Sequence, residues 1–161
     1  MEELDTKLKG IGPSLGTYVL IVQLDQPKRI KIGRLGIINF KSGTYLYIGS
    51  ALGPGGLSGR IHRHLRSETQ KRSHWHIDTL TSQGSINDIW WSVSPQRQEC
   101  IWAEILSMAG DGTTPGFGAS DCRCESHLVW LQDADGLNKA WYALRGHVGS
   151  KLQRVRNTKT T

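Results

Sequence analysis

The chain of 161 residues is long enough for one domain with a sizeable core. Its 20 Lys and Arg residues outnumber 14 Asp and Glu residues, and the formal net charge of +6 favours a polyanionic partner. No apolar run reaches the ~18 residues of a membrane helix, and three cysteines do not suit a disulfide framework. Since residues 1–10 also lack the apolar core of a signal peptide, we expect a cytoplasmic protein with no membrane partner.

The first part of the chain predicts antiparallel strands. Residues 1–14 are polar, and we expect a loosely held lead-in. Gly16–Leu24 has a nearly continuous apolar centre, typical of a central strand buried on both faces. Ile30–Ile32 predicts a short strand, Gly33–Gly43 a loop with a short extension, and Thr44–Ser50 a second long strand rich in β-branched and aromatic residues.

A glycine-rich turn and a basic helix follow the second long strand. The turn is Gly53–Gly56, which neither a strand nor a helix accommodates. Apolar residues one turn apart then predict a buried stripe on the helix: Leu57, Ile61 and Leu65. Arg60 and His64 lie side by side on a flank of that helix.

The second half of the chain predicts alternating helices and strands. We expect a short helix over 74–80, a strand over 86–93 and a helix over 96–109. A glycine-rich loop over 110–120, a short strand over 127–131 and an amphipathic segment over 139–145 should follow. The basic residues of 148–161 predict a tail that is frayed or ordered by a ligand. Together these elements predict an α/β (α+β) fold with a small, mainly antiparallel central sheet flanked by helices. We expect a single domain over residues 1–161 with its core at about 15–131.

The order of several short motifs resembles that of the GIY-YIG nuclease superfamily. The first motif is Gly16-Thr17-Tyr18 and the second is Tyr47-Ile48-Gly49; Arg60 and His64 follow on a helix, and Glu99 lies near the start of a later helix. The resemblance covers residues 15–110 and implies a metal-dependent DNA endonuclease that uses Mg²⁺, with Mn²⁺ as the alternative. The runs YIGSALGPGGL, HWHID and GFGASDCRCESHL are similar to a little-characterised branch. Some of its members are fused to an endonuclease III-type DNA glycosylase, which implies a role in DNA repair and a glycosylase partner.

Two features depart from the superfamily pattern. Thr17 stands where isoleucine is usual, and a strand accepts this exchange easily. In addition, 28 residues separate Tyr18 from Tyr47 where a short hairpin is usual, so we infer an insertion at residues 26–41.

The resemblance implies a role for each matching side chain. Glu99 would hold the divalent ion, with Glu104 as a rival. Tyr18 would take or relay a proton from water, and Tyr47 would orient the water or Tyr18. Arg60 would clamp a phosphate oxygen and lower the pKa of Tyr18. His64 would donate a hydrogen bond to the phosphate or a proton to the leaving oxygen.

Further polar residues suggest accessory roles with open alternatives. His74 and His76 line the substrate groove or simply pack, and Asp121 reaches the site from its loop. Cys122, Cys124 and His127 suit Zn²⁺, but a closed site needs a fourth ligand, for which the candidates are Cys100, His74, His76 and Asp121. The one-residue gap between Cys122 and Cys124 favours instead two reduced cysteines packed near the sheet.

The excess of positive charge alone supports a second class of function. A non-catalytic nucleic-acid-binding or accessory module of a repair protein needs the basic residues but not Glu99.

Overall fold

The computed structural model describes residues 8–66, 75–119 and 122–156. The strands in chain order are β1 (Gly16–Leu24), β2 (Lys28–Ile32), β3 (Gly36–Phe40), β4 (Gly43–Ala51), β5 (Ser85–Val93), β6 (Gly112–Thr113), β7 (Leu128–Leu131) and β8 (Gln153–Arg156). The α-helices are α1 (Gly56–Leu65), α2 (His76–Gln83), α3 (Glu99–Ala109) and α4 (Ala134–Val148). The expected α+β fold with a mainly antiparallel sheet is confirmed.

The main sheet has six antiparallel strands in the order β6-β7-β4-β1-β5-β8. Strand β1 lies between β4 and β5, so its backbone is paired along both edges. The apolar residues of β1 cover both faces of the sheet, which is the pattern predicted for a central strand. Its predicted bounds are also confirmed.

Alternation along β1 divides the core into two layers. Tyr18 and Leu20 pack with α1, α2 and the stripe Leu57, Ile61 and Leu65, whose burial is confirmed. Val19 and Ile21 point to the opposite face and pack with α3 and α4. The sheet is therefore covered by helices on both faces.

The segment inferred to be an insertion contains a β-hairpin, so the loop with a short extension predicted over Gly33–Gly43 is instead a paired strand for Gly36–Phe40. β2 and β3 pair as a separate two-stranded sheet, joined by a 3₁₀ turn over Gly33–Leu35. Gly36 has φ 77°, a left-handed value that suits glycine at the end of this turn. Buried side chains fix the hairpin on the Tyr18 layer of the core: Ile30, Ile32 and Phe40.

Both ends of the described chain are better packed than the composition indicates. Leu8 and Ile11 are buried, so this part of the lead-in belongs to the core. Helix α4 adds buried residues beyond position 131. β8 pairs with β5, so the prediction of a frayed tail is wrong for Gln153–Arg156. Residues 157–161 lie outside the described residues. Among the described residues, no helix has the length and apolarity that crossing a membrane requires.

Candidate active site

Side chains from both layers meet in a depression of about 370 Å³, called here the tyrosine depression. It lies where β1 and β4 approach the N-terminal ends of α1, α2 and α3. Its described lining is Tyr18, Tyr47, Gly49, Ser50, Leu52, Gly53, Arg60, Trp75, Arg97, Glu99, Gly118 and His127. Four of the five residues that the sequence proposed as its main site therefore line one depression; His64 is the exception.

Strand pairing brings the two tyrosines together. Tyr18 of β1 is the register partner of Gly49 of β4, and Tyr47 precedes Gly49 by two residues on the same face. Because Gly49 has no side chain, the Tyr18 ring lies across it. A Cβ at Gly49 would be 2.8 Å from Cε2 of Tyr18 and closer still to its hydroxyl oxygen.

A hydrogen bond of 2.7 Å joins the Tyr18 hydroxyl to Nε2 of His64. Burial raises the pKa of Tyr18 well above its usual value, and the nearby Tyr47 phenol raises it further. Arg60 acts in the opposite direction but does not overcome burial. Arg60 thus acts in the predicted direction on the pKa of Tyr18, but burial outweighs it and the net change is upward. The phenol therefore keeps its proton, and the tautomer of His64 decides which partner donates the hydrogen bond.

His64 lies beneath the tyrosines. Its imidazole ring is buried, and the centroid of that ring lies 5.4 Å from the ring centroid of Tyr18, 6.1 Å from that of Tyr47 and 5.6 Å from that of Trp75. It is not part of the described lining of the tyrosine depression. The expected hydrogen bond from His64 to a phosphate or a leaving oxygen stays a prediction; in this structure the buried ring contacts the lining residues Tyr18, Tyr47 and Trp75. Its hydrogen bond to Tyr18 links His64 to the depression.

Trp75 positions the cations of α1. The guanidinium of Arg60 lies 4.8 Å from the centroid of the Trp75 ring, and that of Arg63 lies 3.6 Å from it. Arg63 also donates two hydrogen bonds of 3.2 and 3.1 Å to Asp78, which accepts a third from the Trp75 backbone N–H at 2.8 Å. Among the described residues, Arg60 forms no ion pair, and its charge faces the tyrosine depression.

Glu99 reaches the tyrosine depression although α3 packs on the other face of the sheet. It is the first residue of α3, so its side chain projects at the helix end while Trp102 and Leu106 pack in the core. Its carboxylate accepts a hydrogen bond of 2.7 Å from Arg97. Glu104 is exposed and lines a different depression, so the structure places Glu99, and not Glu104, beside the tyrosines.

The donor set of the tyrosine depression fits a weakly held divalent ion. Glu99 is the one acidic residue in its described lining. Mg²⁺ is commonly bound by one or two carboxylates and completed by water and substrate phosphate. One carboxylate beside an open depression of this size suits that mode.

The accessory residues have separate outcomes. Nδ1 of His76 accepts a hydrogen bond of 3.1 Å from the Gly118 N–H, and its ring contacts Phe117. Burial lowers the pKa of His76, which keeps the ring neutral for this role. His76 thus holds a loop in place and is not part of the described lining. His74 and Asp121 lie outside the described residues.

Three cysteines and a histidine converge beside the tyrosine depression. One potential ligand atom from each of Cys100, Cys122, Cys124 and His127 lies within 4.8 Å of the other three. This set is called here the cysteine cluster. Of the two candidates for a fourth ligand that the structure describes, Cys100 and His76, it places Cys100 in the cluster, and no sequence spacing pointed to it. His127 belongs to both the cluster and the depression.

Comparison with known protein families assigns most of the chain to one domain family. Residues 17–149 match the family described as "Domain of unknown function DUF123". The chain belongs to this family. The DUF123 match includes every residue of the cysteine cluster and every described residue that lines the tyrosine depression. No curated protein and no solved structure matches the chain.

Sequence reasoning missed two residues that line the tyrosine depression of this DUF123 domain, Trp75 and Arg97. Trp75 lies between two histidines in the sequence, and the Arg60 guanidinium lies over its ring, but the spacing gave it no role in the site. Arg97 was not considered, although it precedes Glu99 by two residues and could have been noticed as its nearest cation in sequence.

Proposed function

We propose that this DUF123 domain is a GIY-YIG-type, metal-dependent endonuclease that hydrolyses phosphodiester bonds of DNA, with a role in DNA repair. The observation that supports the proposal is the convergence of Tyr18, Tyr47, Arg60 and Glu99 in one depression. These residues come from four different elements, and such a meeting is what the resemblance requires.

The cations and the aromatic ring of the depression suit a nucleic-acid backbone. Arg60 is positioned by Trp75 and offers a planar set of donors that matches two oxygens of a phosphate. Arg97 is 60 % exposed and adds a second positive charge beside Glu99. The net charge of +6 favours association of the whole protein with a polyanion.

Tyr18 and His64 form a proton relay. A phenol with a raised pKa is a poor base by itself, because a free phenolate in this site is costly. In the His64 tautomer with an unprotonated Nε2, the Tyr18 hydroxyl passes its proton to that nitrogen as it takes one from the attacking water, so no phenolate accumulates. Tyr47 orients the water. A Mg²⁺ ion on Glu99, when bound, would polarise the phosphoryl oxygen, and Mn²⁺ could replace it.

A plasmid-nicking assay with Mg²⁺ or Mn²⁺ tests the proposal. Glu99→Gln and Arg60→Ala should each lower the nicking rate about 100-fold or more, because each removes charge stabilisation of the transition state. Glu104→Gln is the matched control, because this glutamate is exposed on the same helix and should leave the rate unchanged. Equal background rates for the wild type and all variants would refute the proposal.

A second candidate function is non-catalytic DNA binding as an accessory module, with a DNA glycosylase as partner. The raised pKa of Tyr18 favours it, because this phenol is not activated in the structure without substrate. It predicts DNA affinity that falls steeply with salt, no cleavage with any divalent ion, and co-purification with a glycosylase.

A further inference from the structure

We infer that the cysteine cluster is a structural Zn²⁺ site, formed by Cys100, Cys122, Cys124 and His127. The four side chains come from α3, from the segment before β7 and from the residue adjoining β7. Three thiol sulfurs and one imidazole nitrogen are a ligand set that zinc prefers.

The spacing of the ligand atoms agrees with a tetrahedral ion. With Zn–S and Zn–N bonds of about 2.3 and 2.0 Å, a tetrahedron has edges of about 3.5 to 3.8 Å. Nε2 of His127 lies 3.4 Å from Sγ of Cys122 and 3.9 Å from Sγ of Cys100. All ligand atoms lie within 4.8 Å of one another, so small side-chain rotations complete the polyhedron. The cage is too small for a cluster with several irons.

Four protein ligands leave no open coordination position for water. The ion is therefore structural, unlike a catalytic zinc, which keeps one position for water or substrate. A disulfide could join only two of the three cysteines and would leave the third thiol beside the histidine. In this structure all three cysteines are free thiols, so all three sulfurs are available as ligands.

The backbone around the cluster shows what the ion would join. Cys100 directly follows Glu99 at the start of α3. The carbonyl of His127 accepts a hydrogen bond of 3.0 Å from the Ile48 N–H of β4, and its own N–H donates to Phe117 at 2.8 Å. One ion thus connects α3, the central sheet and the loop that packs on Tyr47. If the proposed function holds, the ion positions Glu99 relative to Tyr47.

Metal content and cobalt spectroscopy of the full chain test the site. Elemental analysis should give one zinc per chain after purification without chelator. Co²⁺ added to the metal-free protein should produce the intense visible bands of a tetrahedral ion and a thiolate charge-transfer band. Cys124→Ser should lose the metal or distort this spectrum, whereas Glu125→Gln, an exposed neighbour, should retain both. Glu99→Gln should also retain zinc, which separates this site from the Mg²⁺ site.

Experiments on the wild type keep the test independent of folding defects in the variants. Removal of zinc with a chelator should lower the melting temperature by about 10 °C, and re-addition of Zn²⁺ should restore it. Three reactive thiols with no zinc in the purified chain, an octahedral Co²⁺ spectrum, or a melting temperature unaffected by Zn²⁺ would each overturn the site. The positioning role predicts that zinc-depleted protein needs at least 10-fold more Mg²⁺ for half-maximal nicking. An unchanged Mg²⁺ requirement with zinc removed would overturn that role alone.

Discussion

Replacement of Gly49 by alanine tests whether the packing of Tyr18 against β4 controls the site. The added Cβ would lie 2.8 Å from Cε2 of Tyr18, whereas carbon atoms in contact are about 3.5 to 4.0 Å apart. The ring must therefore move by about 1 Å. Tyr18 is buried, and its hydroxyl is held by His64 at 2.7 Å, so the ring cannot move without straining that hydrogen bond.

Two effects of different size follow for Gly49→Ala. Overpacking a well-filled core lowers the free energy of unfolding by about 1–3 kcal/mol, which a domain of this size tolerates. A displacement of about 1 Å at a reacting group lowers the rate about 100-fold. We therefore expect a folded protein, by circular dichroism, whose plasmid-nicking rate is about 100-fold lower.

Gly59→Ala is the matched control for this experiment. Gly59 is an exposed residue inside α1, and a Cβ there would meet nothing closer than 4.0 Å. Alanine at this position should raise the free energy of unfolding by up to about 1 kcal/mol and leave nicking unchanged. A Gly49→Ala protein that nicks at the wild-type rate would refute the reasoning that the position of Tyr18 matters.

Three further predictions concern stability. The buried hydroxyl of Thr17 has no hydrogen-bond partner among the described residues. Thr17→Val should therefore raise the free energy of unfolding, measured by urea denaturation, by about 1 kcal/mol. A lower free energy of unfolding would show that the hydroxyl does have a partner. His76 accepts a hydrogen bond from Gly118 only when neutral, and its pKa is lowered in the fold. The unfolded chain therefore binds more protons below the usual value of 6.5, so stability should fall as the pH drops through that value, and His76→Gln should flatten the profile. Arg154 pairs with the buried Asp88, so Arg154→Ala should lower the free energy of unfolding by about 3 kcal/mol, even though Arg156 lies 4.0 Å from the same carboxylate. Adding Asp88→Asn should recover most of that loss, because it removes the buried charge left without its partner. Thermal melts that show no recovery would contradict this explanation.

Long periodic segments could be predicted from the sequence because burial leaves a strong pattern there. β1 is apolar at almost every position and α1 repeats its apolar residues once per turn, and both were assigned correctly. β3 was missed because it is only five residues long and follows the glycine-flanked turn Gly33–Leu35, and β8 because it has four residues of which only Val155 is apolar. In β8, the guanidinium of Arg154 lies over the Trp90 ring, a role that composition cannot distinguish from that of a cation in a solvated tail.

The candidate site could be predicted in part because its motifs are ordered along the chain. Tyr18 and Tyr47 lie on strands whose pairing follows from alternation, so their meeting was predictable. The buried position of His64 was not, because it depends on how α1 rotates against the sheet. Cys100 was one of several candidates for the cluster because its contact with Cys122 and Cys124 depends on the docking of α3, which no local pattern encodes.

The central position of β1 has a consequence for the order of assembly. Its partners β4 and β5 begin at Gly43 and Ser85, so the strand is synthesised well before either of them. Until they emerge, nine residues of high strand propensity and no charge remain exposed in the growing polypeptide. We expect slow folding dominated by long-range pairings, and a newly made chain that depends on chaperones more than the finished domain does.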